Sequence, residues 1–299
     1  MQRPNFNTIA LSRQAHIVLL AVVISFASIV SVDWAVAADI MPEHAQAHTF
    51  SEALTRSAYV DTHGDLWVRE QGVPDQDWQR FASNVASFQM LPDGIAILQR
   101  DGTLKWQDGN LRAPLRDIAT NVATYQLISY RLGYLQKDGR FAVADRNQPP
   151  VFLADNVRAF QLTKTRIALL DANDKLYLQE NDLTVYPFRK IADNVKQFQL
   201  AREWVAYLQS TDGSVGNRLM LGRGSVYDIS DHGWTEGDIT FAEQADNLID
   251  FEMQAEGKIN DLASRLRLAV VDKSGELSTA IAQRNPRSCW TRGWRAHRA

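Results

Sequence analysis

The feature that most constrains this chain is a nine-residue stretch that keeps returning. "ASNVASFQM" stands at 82–90, "ATNVATYQL" at 119–127, "ADNVRAFQL" at 154–162 and "ADNVKQFQL" at 192–200. A repeat of this period must be read before local structure, because one supersecondary unit that recurs decides the fold. One aromatic per copy sets the phase: Phe50, Phe88, Tyr125, Phe160, Phe198 and Phe251, spaced 38, 37, 35, 38 and 53 residues apart. Eight residues after each of the first five comes a small residue: Ala58, Ala96, Gly133, Ala168 and Ala206. In the sixth copy Ala269 takes that place after an insertion of ten.

Each copy then carries an apolar run, a turn and a second apolar run. Asp-Gly at 101–102 and 138–139, Asn-Asp at 173–174 and Ser-Gly at 274–275 supply residues that tolerate positive φ, as tight hairpins require. In "FQL" the Phe and Leu fall on one strand face and the Gln on the other, and Asn before Val suits a turn entering that strand. A helical repeat would show 3.6-residue periodicity and no Asp-Gly at its centre. The unit is therefore a small antiparallel meander. Its middle strands are apolar on both faces, as in a sheet covered on both sides. Radially stacked sheets of this kind make a β-propeller. The expected fold is all-β, a propeller of five to six short blades over 39–284, behind a signal peptide at 1–38 and ahead of a basic, disordered tail at 285–299. Because exposed edges invite aggregation, closure predicts that 50–68 and 266–282 lie in adjacent sheets.

The hairpins "AILQRDGTLKW", "GYLQKDGRFAV" and "ALLDANDKLYL" resemble those of RCC1-like and tectonin/tachylectin-like propellers. There a short apolar strand turns through Asp-Gly into an aromatic-bearing strand. The resemblance covers 50–280 in pattern and implies the propeller architecture. The units are shorter here and that group's glycine-rich turn motifs are missing, so exchange-factor activity and sugar binding do not carry over by residue.

The two ends differ from the body. Arg3, Arg13 and His16 precede an uncharged apolar stretch at 17–32 and then "DWAVAAD". Basic start, short apolar centre and Ala-x-Ala site describe a secretory signal, with cleavage after Ala37 or Ala38. The alternative is an uncleaved anchor, but the apolar stretch falls short of the roughly 20 residues a span needs. The expected location is periplasmic or extracellular. Export usually means oxidising surroundings, yet Cys289 is the single cysteine, so the core must hold the fold without an internal disulfide. Between 39 and 284 there are 26 Lys and Arg against 34 Asp and Glu. An acidic body argues against nucleic acid, which needs basic surface. The tail carries four arginines, two tryptophans and no acid. Any membrane contact would run through the signal or this tail.

No nucleophile elbow, phosphate loop or His-Glu-x-x-His motif is present. Four groups remain as candidates. Gln89, Gln126, Gln161, Gln199 and Glu252 follow the aromatic anchors and would form a polar ring. Such a ring either satisfies backbone groups of a neighbouring blade or binds a small ligand. Asp228, Asp231, Glu236 and Asp238, with His232, offer oxygen ligands for calcium without the EF-hand spacing. Trp234 beside them could stack on a sugar ring or staple its loop to the body. His63 between Asp61 and Asp65 falls in a hairpin turn. The functional expectation is an exported, non-catalytic propeller, without a cofactor, that recognises a protein or glycan. The alternatives are an exported hydrolase or lyase using acids of 228–238 and 61–65, and a structural component of an envelope assembly.

Overall fold

A computed structural model describes residues 49–283 and 297–298, except 54–55, 71–76, 110, 147, 181–186, 211–216, 226, 231–232, 238 and 257–264. The chain divides into units at 1–45 and 46–299. The described residues lie in the second, so the expected signal peptide lies outside them.

All elements among the described residues are strands. The first sheet is β1 (Thr49–Ala53), β2 (Arg56–Val60), β3 (Leu66–Glu70) and β4 (Gln79–Ala82), paired in that order. The second is β5 (Val85–Leu91), β6 (Gly94–Gln99), β7 (Leu104–Asp108) and β8 (Arg116–Ala119). The third is β9 (Val122–Ile128), β10 (Arg131–Gln136), β11 (Phe141–Asp145) and β12 (Val151–Ala154). The fourth is β13 (Val157–Leu162), β14 (Arg166–Asp171), β15 (Leu176–Glu180) and β16 (Arg189–Ala192). The fourth strand of each is only four residues long, which is how four strands fit so short a repeat.

Units five and six share one sheet. It contains β17 (Val195–Ala201), β18 (Trp204–Ser210) and β19 (Asn217–Arg223), with the hairpin β20 (Tyr227–Ser230) and β21 (Gly233–Glu236) inserted before β22 (Thr240–Glu256). The first half of β22 pairs with β19, closing the fifth unit. Its second half pairs with β23 (Arg265–Asp272), opening the sixth. β24 (Leu277–Gln283) and β25 (His297–Arg298) complete the order. The architecture is thus a β-propeller of six repeat units joined in series through five packed junctions; the expected packing of 266–282 against 50–68 is not made at Leu277, which is exposed. The anchor aromatics all fall on first strands, and Ala269 lies opposite Glu252 as Ala96 lies opposite Gln89.

The junction between units has one chemistry throughout. Asn84, Asn121, Asn156, Asn194 and Asn247 hold φ of 57 to 65°, a left-handed conformation Asn tolerates better than most residues. That turn swings the chain from one sheet into the next. The carbonyl of each Asn accepts the N–H of its own unit's hairpin, from Arg100, Lys137, Ala172, Ser210 and Lys273. The next N–H, from Val85, Val122, Val157 and Val195, donates to the preceding unit's hairpin at Gly64, Gly102, Gly139 and Asp174.

Hydrophobic clusters then fill the space between consecutive units. Leu104 and Trp106 of the second sheet pack against Val122, Tyr125 and Leu127 of the third, and the same pairing recurs at each of the other four junctions. Close approach explains the small residue of the repeat. A Cβ on Gly133 would lie 2.6 Å from Leu162 Cδ1 of the next sheet.

The corner is testable. Asn121→Ala should cost about 1–2 kcal/mol, the penalty for an L-residue with a Cβ in this conformation, while Asn121→Gly should leave the urea midpoint nearly unchanged. Equal losses in both variants would show that the Asn side chain, not its backbone angle, matters.

Candidate binding face

The glutamines of the repeat stand on the first strands of units two to five, where each reaches to the following unit. Gln89 Nε2 donates to Tyr125 O at 3.3 Å and its Oε1 accepts from Leu127 N at 2.6 Å. Gln126 makes the same pair with Leu162 at 3.1 and 2.7 Å, and Gln161 with Leu200 at 3.3 and 2.6 Å. Gln199 bridges Phe251 O and Met253 N. An amide suits the position because its NH2 donates while its separate carbonyl oxygen accepts, so one side chain meets two backbone groups. Glu252, the sixth member, is exposed.

The inserted hairpin places Asp228 opposite Thr235 and Trp234 opposite Ile229, with Glu236 at its end. The side chains of Asp228, Trp234 and Glu236, and residues Asp231, His232 and Asp238 entirely, lie outside the described residues. Among the described residues no cluster of metal-ligating side chains occurs. Asp61 is spent on its own turn: Oδ1 accepts from the N–H of His63 and Asp65, and Oδ2 from Trp67 Nε1, each at 2.9 Å. His63 itself is 85% exposed in its side chain.

The sequence reading missed a set of ion pairs made by buried arginines at the opposite end of the sheets from the Asp-Gly turns. Where a second strand starts and its third strand ends, Arg56 faces Glu70, Arg131 faces Asp145 and Arg166 faces Glu180. Arg131 grips Asp145 with two bonds of 2.7 and 3.0 Å. Arg166 and Glu180 are both 7% exposed and 2.6 Å apart. In the second unit Gly94 replaces the arginine, and Arg146 of the third unit reaches back to Asp108 at 2.7 Å and Asp93 at 2.5 Å.

These pairs also anchor loops of neighbouring units. Arg56 donates to Gly109 O. Arg166 donates to Glu203 O at 2.7 Å and to Gly224 O, while Ser225 Oγ donates to Glu180. The root of the insertion at 224–239 is therefore clamped to the fourth sheet by a buried salt bridge. A charge this deep is tolerated only with its partner in place. The signal was present in the sequence as Arg two residues before the small position, with an acid fourteen residues on.

The displaced pKa values of the described carboxyls belong to turns. The Thr103 N–H holds Asp101 below the ordinary carboxylate range. The Lys196 ammonium does so for Asp174 and the Ser274 hydroxyl for Asp272. Burial works to raise Asp61, but the bonds from Trp67, Asp65 and His63 outweigh it and the net shift is downward. Burial pushes the Tyr207 phenol up to about 12 and raises that of Tyr125 further.

No family model matches the chain, and no curated protein matches it. It is similar to solved structures at low identity. Prp20p of Saccharomyces cerevisiae, the yeast RCC1, is 10% identical with a TM-score of 0.47, over 78% of this chain and 71% of that one. Human WBSCR16 is 9% identical with a TM-score of 0.47, over 78% and 77%. Hsv2 of Kluyveromyces lactis is 12% identical with a TM-score of 0.48, over 77% and 72%. No residue role is carried across from them.

Two outcomes test these ion pairs and turn contacts. Glu180→Gln should cost about 3–5 kcal/mol by stranding Arg166 and should speed proteolysis within 225–239. The paired replacement Arg166→Met with Glu180→Leu should be far milder in denaturant melts. The turn carboxyls have folded pKa values below their unfolded values of about 4. Their contribution is complete above that pH and is lost as pH falls through the folded values. The melting temperature should thus drop below about pH 4, and by less in a variant with Asn at 61, 101, 174 and 272.

Proposed function

We propose that the protein is an exported, non-catalytic recognition platform that binds a protein or glycan through the rim bearing its longer connections. One observation carries the reading: the buried Arg166–Glu180 pair clamps the root of the fifth unit's inserted hairpin, at Gly224 and Ser225. A rigid scaffold that fixes the bases of variable loops is the usual way a repeat fold presents a binding surface. The recurring polar side chains support it as well. The glutamines and turn aspartates are engaged in holding sheets and hairpins. The N-terminal sequence supports export, and the excess of acids between 39 and 284 favours a partner with basic or neutral surface.

The test uses the mature chain and a variant in which 227–236 is replaced by a short Gly-Ser linker. A partner isolated from the native envelope should be retained by the first and lost by the second, with the melting temperature unchanged. Turnover by the mature protein on glycoside, ester, phosphoester or peptide substrates would overturn the reading.

A further inference from the structure

The sixth unit carries a docking position that four earlier units fill. Two residues beyond each hairpin turn stand Leu66, Leu104, Phe141 and Leu176, all 0% exposed. Each shares a cluster with the valine that follows the next corner Asn: Val85, Val122, Val157 and Val195. Leu277 holds this place in the sixth unit and is 52% exposed. Beside it, a Cβ on Gly275 would meet nothing within 4 Å, whereas one on Gly102 or Gly139 would touch the next unit's Asn at 3.5 Å. Among the described residues, the Gly275 carbonyl has no equivalent of the Val N–H that Gly64, Gly102 and Gly139 receive. Glu252, where four glutamines reach the next sheet, is exposed on the same face. Leucine, turn and acid are three signs of one uncovered face.

We propose that this face of the sixth sheet is a docking site for an extended, cationic strand of a partner protein, added as a following unit would be. It extends the reading of the protein as a binding platform and rests on it, but uses a different surface from the rim. The internal junctions define the ligand. Its strand supplies an N–H to the Gly275 carbonyl and a β-branched apolar residue to Leu277. A glutamine there would accept from one backbone group and donate to another, but ionised Glu252 can only accept. The partner therefore brings Lys or Arg where the third unit has Leu127, the residue whose N–H meets Gln89. The acidic body, with 26 bases against 34 acids, favours the same sign.

Surfaces of this chain fit less well. Two sixth sheets face to face would set Glu252 against Glu252. The first sheet's outward face is already covered, since Tyr59 is 2% exposed and Trp78 packs against it edge to face, ring centroids 4.8 Å apart. Its leading residues also depart from the docking sequence, with Gln46 and Ala47 in place of Asn-Val and Ser51 in place of Gln.

The probes are two fluorescein-labelled peptides, ADNVKQFQLA, copied from 192–201, and its Lys analogue ADNVKQFQKA, titrated by anisotropy against the full mature chain. The Lys peptide should bind about tenfold more tightly than the Leu peptide, a difference of about 1.4 kcal/mol. Glu252→Gln should erase or reverse that order. Leu277→Asp should weaken both about tenfold or more with no change in melting temperature, because the side chain is exposed. The variant lacking 227–236 should bind both peptides normally. That arm separates the two ideas: loss of the rim partner with intact peptide binding touches the rim alone. Absence of peptide binding, or binding indifferent to Leu277→Asp and Glu252→Gln, overturns the docking site.

Discussion

Everything in this structure hangs on the corner at Asn-Val. The backbone must leave one sheet and enter the next with its polar groups satisfied, since a buried unpaired N–H or C=O costs as much as a lost hydrogen bond. The left-handed Asn solves this by aiming its own carbonyl at the hairpin of the sheet being entered and the following N–H at the hairpin of the sheet being left. One residue thus fixes two adjacent sheets at the same height. Once height is fixed, the valine side chain falls on the Leu or Phe beyond the previous turn, and the apolar face closes behind it. The glutamine four residues after that valine adds a second tie to the next unit. Corner, face and amide are one device, and its repetition sets the spacing of the sheets.

The opposite ends of the sheets obey a different logic. There the connections vary in length, so no repeated backbone contact can hold them. Buried arginines do so instead, because a long side chain with a planar set of donors can reach carbonyls of the neighbouring unit while remaining paired with an acid. Arg166 reaching Glu203 and Gly224 is the clearest case. Geometry at one end and charge at the other divide the molecule into two rims, and the inserted hairpin β20–β21 rises from the rim that charge holds.

What the sequence revealed follows from what repetition exposes. Asp-Gly turns, Asn-Val corners and the aromatic anchors recur with one spacing, so their roles were readable as strand, turn and strand. Glutamine recurrence was equally visible, but its meaning was not, because a strand pattern tells which face a side chain takes and not what lies across it. The buried arginines escaped notice because Gly94 and Trp204 interrupt the series, and because a charge in a strand ordinarily reads as solvent-facing. The fusion of units five and six into one strand was also hidden. "ADNLIDF" keeps the Asn and its left-handed turn, yet the chain continues through it as the single strand β22, with a shift of register on either side.

A repeat fold built by such corners has an inherent polarity. Each unit receives its successor with a hairpin carbonyl, an apolar residue and a side chain on the outgoing face, and offers an Asn-Val edge on the incoming one. Interior units satisfy both needs within the chain, and a terminal unit must either change its residues or keep the unmet need. The first unit changes them, with its incoming face under Trp78. The sixth keeps the turn and Leu277 but exchanges the amide for Glu252. That substitution alters the receiving chemistry from an amide that serves both a donor and an acceptor to an acid that serves donors alone. A surface meant only for solvent has no reason to retain an apolar residue beside a left-handed turn glycine. The outgoing face of the last unit therefore carries the repeat's own grammar of assembly with one term rewritten in charge.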